Sequence, residues 1–277
     1  MTVAEALREA ARRLEAVSDT ARLEAELLMA AALCVSRSEL LLRHTGEPAP
    51  ALFDLHVARR LNHEPVAYIV GAQKFYGREL AVTPAVLIPR ADSETPLAAA
   101  LEASRDPRRI LDCGTGSGVL LLSLLAERLL AVGIGIDRSL EALAVAEANA
   151  ERFDLADRAG MRAADWRREA WAEGLGRFDL VIANPPYVET GAELDPSVRE
   201  FEPAGALFAG PDGLDDYRVL VPQLPALLEP GGVAVLEIGA SQGESVAQIA
   251  AEAGFRSELR RDLGGRARAL VLRKTHD

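Results

Sequence analysis

From Arg109 onward, short apolar runs alternate with helical patterns, and this alternation constrains the fold more than any other feature of the sequence. The runs are "RILDCG", "AVGIGID", "GMRAAD", "FDLVIAN" and "VAVLEIG"; the helical patterns are "GVLLLSLLAERL", "LEALAVAEANAERF", "DDYRVLVPQLPALL" and "GESVAQIAAEAG". Apolar strands alternating with helices build a parallel sheet covered on both sides, so the fold class is α/β. The end breaks the rhythm: "FRSELRRDL" and "ARALVLR", joined only by "GG", predict an antiparallel hairpin that closes the sheet. Before residue 70 the period is helical throughout, in "TVAEALREAARRLEAV", "DTARLEAELLMAAALCV", a short helix opened by the capping box Ser36-x-x-Glu39, and "PALFDLHVARRLN". These predict a small N-terminal helical bundle. Between the two regions, "VAYIVG" and "KFYGRELAVT" carry β-branched and aromatic residues broken at Gly71 and Gly77, which reads as a strand or hairpin connector. The predicted organisation is a helical domain over 1–70, a β-hairpin connector over 71–88 and an α/β domain over 89–277.

Composition narrows the function classes. With 277 residues, 49% of them apolar, the chain can bury a large core. Even "VLLLSLLAERLLAVGIGI" is cut by Glu127 and Arg128, short of the roughly 18 uninterrupted apolar residues of a membrane span. The first residues interleave acidic and basic side chains where a signal peptide needs an apolar block, so a cytoplasmic location is expected. Two cysteines, Cys34 and Cys113, and four scattered histidines, His44, His56, His63 and His276, offer neither a disulfide framework nor metal-ligand spacing. No metal is expected. A formal charge of −11 disfavours broad attraction to nucleic acid or other polyanions.

The first strand ends in "DCGTGSG", Asp112 to Gly118. Glycines at a strand-to-helix turn let the backbone approach a ligand and aim N–H groups at it. The spacing is not that of a dinucleotide fingerprint, because the glycines are 114, 116 and 118 and position 119 is Val; a phosphate-gripping Gly-Lys-Ser/Thr is also missing. Gly114, Thr115, Gly116, Ser117 and Gly118 are therefore predicted to line a ligand site. Asp137 ends the second strand about 20 residues on, where an acidic side chain accepts from ribose hydroxyls. The ligand so implied has a ribose and no essential phosphate. After the third strand, Asp165 and Trp166 offer an acceptor and a flat ring to a base, although a lone Trp is as often a core residue.

Strand four ends in "NPPY" on the same carboxyl edge of the sheet, where open α/β sheets bind ligands. Pro185 and Pro186 have no N–H and a fixed φ, so the loop is rigid and its carbonyls stay free to accept. Asn184 Oδ1 and the Pro185 carbonyl can hold both hydrogens of an –NH2 group, while Tyr187 presents its ring to the planar group that carries it. A proline stop to a strand would explain the prolines but not the Asn and Tyr around them.

"DCGTGSG", "GID" and "NPPY" resemble the class I S-adenosylmethionine-dependent methyltransferases that act on planar nitrogens. Within that class, "RRLNHEPVAYIVGAQKFYG", "VLIPRADSE", "VREFEPAGALFAGPDGLDDYR" and "LEPGGVAVLEIGASQG" resemble the bacterial release factor glutamine methyltransferases over nearly the whole chain. The resemblance implies a Rossmann-like class I methyltransferase sheet and S-adenosylmethionine as cofactor. It implies methylation of the side-chain amide of the Gln in the Gly-Gly-Gln motif of peptide chain release factors, which are then the protein substrate; the N-terminal helical domain, lying outside the βαβ core, is predicted to recognise it. Gly114 through Gly118, Asp137, Trp166 and Asn184 would hold the cofactor, and Asn184, Pro185, Pro186 and Tyr187 the substrate amide, with Asn184, Pro185 and Tyr187 catalytic. The enzyme would act as a monomer without direct contact to nucleic acid. Three positions depart from the family pattern: Lys74 for Glu, Ala91 for Pro after "IPR", and Cys113 for Leu. None removes a group the chemistry needs. The alternative is an amino-methyltransferase acting on nucleic acid bases or on a ribosomal protein Gln.

Overall fold

The computed structural model describes residues 1–275. The chain forms two compact units, one made of Met1–Ala72 with Leu194–Phe201, the other of Gln73–Glu193 with the chain from Glu202 on. His276 and the last residue of the predicted 89–277 domain lie outside the described residues.

The first unit contains α1 (Val3–Leu14), α2 (Ala21–Leu33), the single turn α3 (Arg37–Glu39), α4 (Ala51–Leu61) and α5 (Val66–Val70). Thr2 opens α1 with a complete capping box, its hydroxyl accepting from Glu5 N–H while the Glu5 carboxylate accepts from Thr2 N–H. Val3, Leu7, Ala10 and Leu14, spaced three and four apart, are buried against Leu28, Met29, Phe53 and Val57. Ser36 caps α3 by accepting from Glu39 N–H at 3.1 Å. Arg60 is buried too, held by Glu24 at 2.8 Å and by the Val17 carbonyl at 3.1 Å.

One expectation is corrected here. "VAYIVG" is not a strand: Val66–Val70 is helical, with the N–H groups of Tyr68 and Ile69 donating to the Pro65 carbonyl. Pro65 suits a helix start because its missing N–H is not needed there, and Gly71 ends the turn at φ 75. Burial of Ala67, Tyr68 and Ile69 outweighs the strand preference of Val and Ile.

The second unit begins within the hairpin of β1 (Ala72–Phe75) and β2 (Arg78–Ala81), at Gln73. Its two-residue turn, Tyr76-Gly77, has positive φ at both positions, 47 and 75, as a tight hairpin with the right twist requires. A seven-stranded sheet follows, built from β3 (Arg109–Cys113), β4 (Val132–Asp137), β5 (Ala159–Ala163), β6 (Phe178–Ala183), β7 (Leu228–Glu237), β8 (Phe255–Arg261) and β9 (Ala267–Lys274), in the order β5-β4-β3-β6-β7-β9-β8. The first five pair in parallel, and β9 runs antiparallel between β7 and β8. The hairpin therefore closes the sheet with its second strand inside and its first at the edge.

Alternate residues of the central strands enter two separate cores. Ile110, Leu180 and Ile182 pack with α6 (Glu94–Ala103) and α7 (Val119–Glu127) on one face. On the other, Leu111, Val181 and Ala183 pack with α10 (Asp215–Leu220), α11 (Leu224–Leu227) and α12 (Gly243–Glu252). The α8 helix (Leu140–Arg152) contributes Ala150 to the first of these cores, and α9 (Pro196–Phe201) belongs to the N-terminal unit. "DDYRVLVPQLPALL" is not one helix, because Pro222 and Pro225 break it into α10, a 3-10 turn and α11. From β3 the chain winds to β4 and β5 on one side, then returns to β6 on the other. The carboxyl ends of β3 and β6 therefore flank the switch point of the sheet, where such folds leave a crevice.

Candidate active site

The turn after β3 is fastened before any ligand arrives. The N–H groups of Gly114 and Thr115 both donate to the Ile136 carbonyl on β4, at 2.9 and 2.8 Å. Asp112, buried at the end of β3, accepts from the Thr115 hydroxyl at 2.8 Å and from Leu121 N–H at 3.3 Å. Burial pushes its pKa up to about 7, and these two hydrogen bonds oppose the shift. From α8, Asn149 donates to the Ser117 carbonyl at 2.9 Å and binds Ala81 of β2 through both its N–H and its carbonyl. Gly116 needs glycine for conformation alone, since φ is 54 and a side chain would meet open space.

Asp137 ends β4 with each carboxylate oxygen holding one backbone N–H, Gly116 on Oδ2 and Ser139 on Oδ1, both at 3.0 Å. Each oxygen keeps a further lone pair. The residues after β5 fold over the turn, and a Cβ on Gly114 would lie only 3.1 Å from Trp166 Cη2. Together these groups enclose a cavity of about 340 Å³ whose wall includes Gly114 to Ser117, Asp137, Asp165, Trp166, Asn184 and Pro186. Gly118, Pro185 and Tyr187 are not on that wall. Gly118 instead lies under α7, with Leu122 and Ala146 against the position of its missing Cβ.

Asn184 follows β6 directly. It reaches the cavity, and its side chain has no hydrogen-bond partner among the described residues. Pro185 and Pro186 are buried, and the chain is then held by a bridge between Val188 and Phe208. The Tyr187 carbonyl accepts from Gln242 Nε2 at 3.0 Å, and its hydroxyl donates to Glu237 Oε1 at 3.5 Å. Burial raises the Tyr187 phenol to about 12.

Several polar groups of this region escape sequence reasoning. Glu237, at the end of β7, is buried with Oε2 unpartnered, and burial pushes its pKa up to about 7. Arg90 pairs with the buried Glu202 at 2.6 Å, whose other oxygen accepts from Ile88 N–H at 3.1 Å. Asp216 receives Trp166 Nε1–H at 3.0 Å and the guanidinium of Arg167 at 2.8 and 3.1 Å. Their partners lie dozens of residues away in sequence, beyond any local spacing rule. The motif "IPRADSE" holds Arg90 and Ser93, and was the one signal available for this cluster.

A mixed sheet in this strand order, with a glycine-rich turn and an Asn-Pro-Pro-Tyr loop at its switch point, defines the class: this is the fold of the class I methyltransferases. The family model described as "Methyltransferase small domain" matches residues 91–206, and "PrmC N-terminal domain" matches residues 5–71. Among solved structures, the ribosomal protein L11 methylase of Lactobacillus delbrueckii subsp. bulgaricus is similar over 74% of this chain and 90% of its own, with 21% identity and a TM-score of 0.51, a likeness of fold. The release factor glutamine methyltransferase of Cereibacter sphaeroides is 42% identical over 99% of both chains, and that of Moorella thermoacetica 43% identical over 98% of both. The chain belongs to the release factor glutamine methyltransferase family. Among the described residues no helix is long and apolar enough to cross a membrane, and no cluster of potential metal ligands occurs.

Proposed function

We propose that this enzyme transfers a methyl group from S-adenosylmethionine to the side-chain amide nitrogen of the Gln in the Gly-Gly-Gln motif of peptide chain release factors. The names of its relatives support the substrate. The observation that carries the chemistry is Asn184, an amide with no partner among the described residues on the wall of a cavity that also holds the glycine-rich turn.

The donor set fits the cofactor. A cavity of about 340 Å³ is of ligand size, Asp137 keeps lone pairs for ribose hydroxyls, and Trp166 gives a flat wall for adenine. Gly114 to Ser117 leave the backbone open to close approach, and nothing in the turn demands a phosphate. When bound, the cofactor supplies a methyl group made electrophilic by a sulfonium.

The amide nitrogen is a weak nucleophile because its lone pair is delocalised into the carbonyl. Asn184 Oδ1 accepts one of its hydrogens and the Pro185 carbonyl the other. This grip orients the nitrogen and favours partial pyramidalisation, which frees the lone pair. Tyr187 offers its ring to the amide plane, and its raised pKa keeps the phenol neutral. Orientation of this kind is worth ~7–11 kcal/mol in favourable cases. No base is required, since the methylated nitrogen becomes acidic and its proton leaves to water.

The helical domain over 1–70 recognises the release factor, the hairpin connector spans 71–88, and the remainder is catalytic. The enzyme works as a cytoplasmic monomer, and its charge of −11 gives no reason to expect nucleic acid as a partner. Incubation of release factors with enzyme and S-adenosylmethionine tests this by intact mass. A gain of one methyl group, located on the Gly-Gly-Gln glutamine by fragmentation, is expected; methylation of nucleic acid or ribosomal protein instead would replace the substrate assignment.

A further inference from the structure

One wall of the cavity is made by residues from two separate crossovers, and a single buried carboxylate joins them. Trp166 and Arg167 follow β5, while Asp216 belongs to α10, after the Asn-Pro-Pro-Tyr loop. All three reach the cavity, and Asp216 is 3% exposed. Asp216 Oδ1 accepts from the Trp166 indole N–H at 3.0 Å and from Arg167 Nε at 3.1 Å, and Oδ2 accepts from the Arg167 terminal nitrogen at 2.8 Å. The Trp166 backbone is held independently, its carbonyl accepting from Gln223 Nε2 at 3.0 Å. What Asp216 adds is control of the ring. An indole with a fixed backbone still turns about its side-chain bonds, and an edge hydrogen bond stops it. The ring so fixed lies against Gly114, where even a methyl group would be 3.1 Å from it.

We propose that Asp216 is a positioning residue for the nucleoside cofactor: by anchoring the Trp166 edge and pairing Arg167, it sets the width and the charge of the base-binding wall. This rests on the assignment of the cavity to S-adenosylmethionine. The pairing matters because Arg167 lines the same cavity, and an unpaired guanidinium would repel a cationic sulfonium ligand. The carboxylate thus does two separable things. Asp216→Asn keeps an acceptor for the indole and loses the charge, whereas Asp216→Ala loses both.

The test is calorimetric binding of S-adenosylhomocysteine, the uncharged product, and of S-adenosylmethionine. For the uncharged ligand, Asp216→Ala should weaken binding about tenfold and Asp216→Asn less than about threefold, because only the first frees the ring. For the sulfonium ligand the Asn variant should lose more than for the uncharged one. Trp166→Phe removes the same hydrogen bond from the other side without touching the Arg167 pair, and it should also weaken the uncharged ligand several-fold. In the Trp166→Phe background, the further effect of Asp216→Ala on that ligand should fall below about threefold. Tenfold weakening that persists without the indole N–H, or Trp166→Phe and Asp216→Ala proteins that bind like wild type, would overturn the proposal. Wild-type protein that binds neither ligand would overturn the cofactor assignment instead.

Discussion

At the residue scale, Asp137 shapes the glycine-rich turn through Gly116 N–H and keeps a free lone pair on each oxygen, which the proposed function gives to a ribose. Asp137→Ala should weaken S-adenosylmethionine binding by about 1.5–3 kcal/mol, the worth of a hydrogen bond to a charged group. Titration calorimetry on the folded variant checks it, and unchanged affinity would remove Asp137 from the site. Glu237 makes a prediction about pH. Its pKa rises from 4.5 to about 7 on folding, chiefly through burial, with Asp92 adding to the shift and Ser93, Arg268 and Arg90 opposing it. The folded state then holds more protons than the unfolded state between those two values, so stability falls as pH rises through this window and is level above it. The shift corresponds to ~3 kcal/mol. Thermal unfolding of Glu237→Gln between about pH 5 and pH 8 should show a shallower decline than wild type, with Asp112 supplying a residual slope in the same direction. Equal slopes would mean that Glu237 is charged throughout.

At the scale of elements, much of the architecture was legible because its signals are local. The glycines after β3, the proline stop after β6 and the helices after β3, β4, β6 and β7 each announce themselves within a few residues. "VAYIVG" misled because its pattern suits a strand, and only the Pro65 start, the Gly71 end and burial of one face make it α5. The association of Leu194–Phe201 with the N-terminal unit has no local signal, as it depends on chain return over more than a hundred residues. The site divides in the same way. Gly114 to Ser117, Asp137, Trp166 and Asn184 share one cavity, but Asp216, Glu237 and Glu202 become visible only once β7 and α10 are in place. The helix end itself is testable. Gly71 has φ 75 and open space around it, so Gly71→Ala should destabilise by roughly 1–2 kcal/mol from backbone conformation alone. Gly118→Ala should cost more, because its φ is 80 and Leu122 lies 2.9 Å from the new methyl group. Chemical denaturation of both variants ranks them, and equal losses would show that the α7 packing yields freely.

On the scale of the whole molecule, the proposed function divides the work between the two units as recognition and chemistry. Removal of the N-terminal helices should leave S-adenosylmethionine binding nearly intact, since every residue on the cavity wall belongs to the second unit, while raising the KM for release factor. A truncated protein that methylates release factor as well as the full chain would give the helices another purpose. The central claim is that the loop after β6 grips a glutamine amide. Single-turnover transfer of a labelled methyl group from S-adenosylmethionine to purified release factor measures it directly, with wild type, Asn184→Ala and Asn184→Asp compared at saturating cofactor. The account predicts almost no transfer by the Ala variant, residual transfer by the Asp variant, which still accepts a hydrogen bond, and a smaller loss in cofactor affinity than in rate for both. Wild-type rates in a correctly folded Asn184→Ala enzyme would contradict it and reduce "NPPY" to the end of a strand.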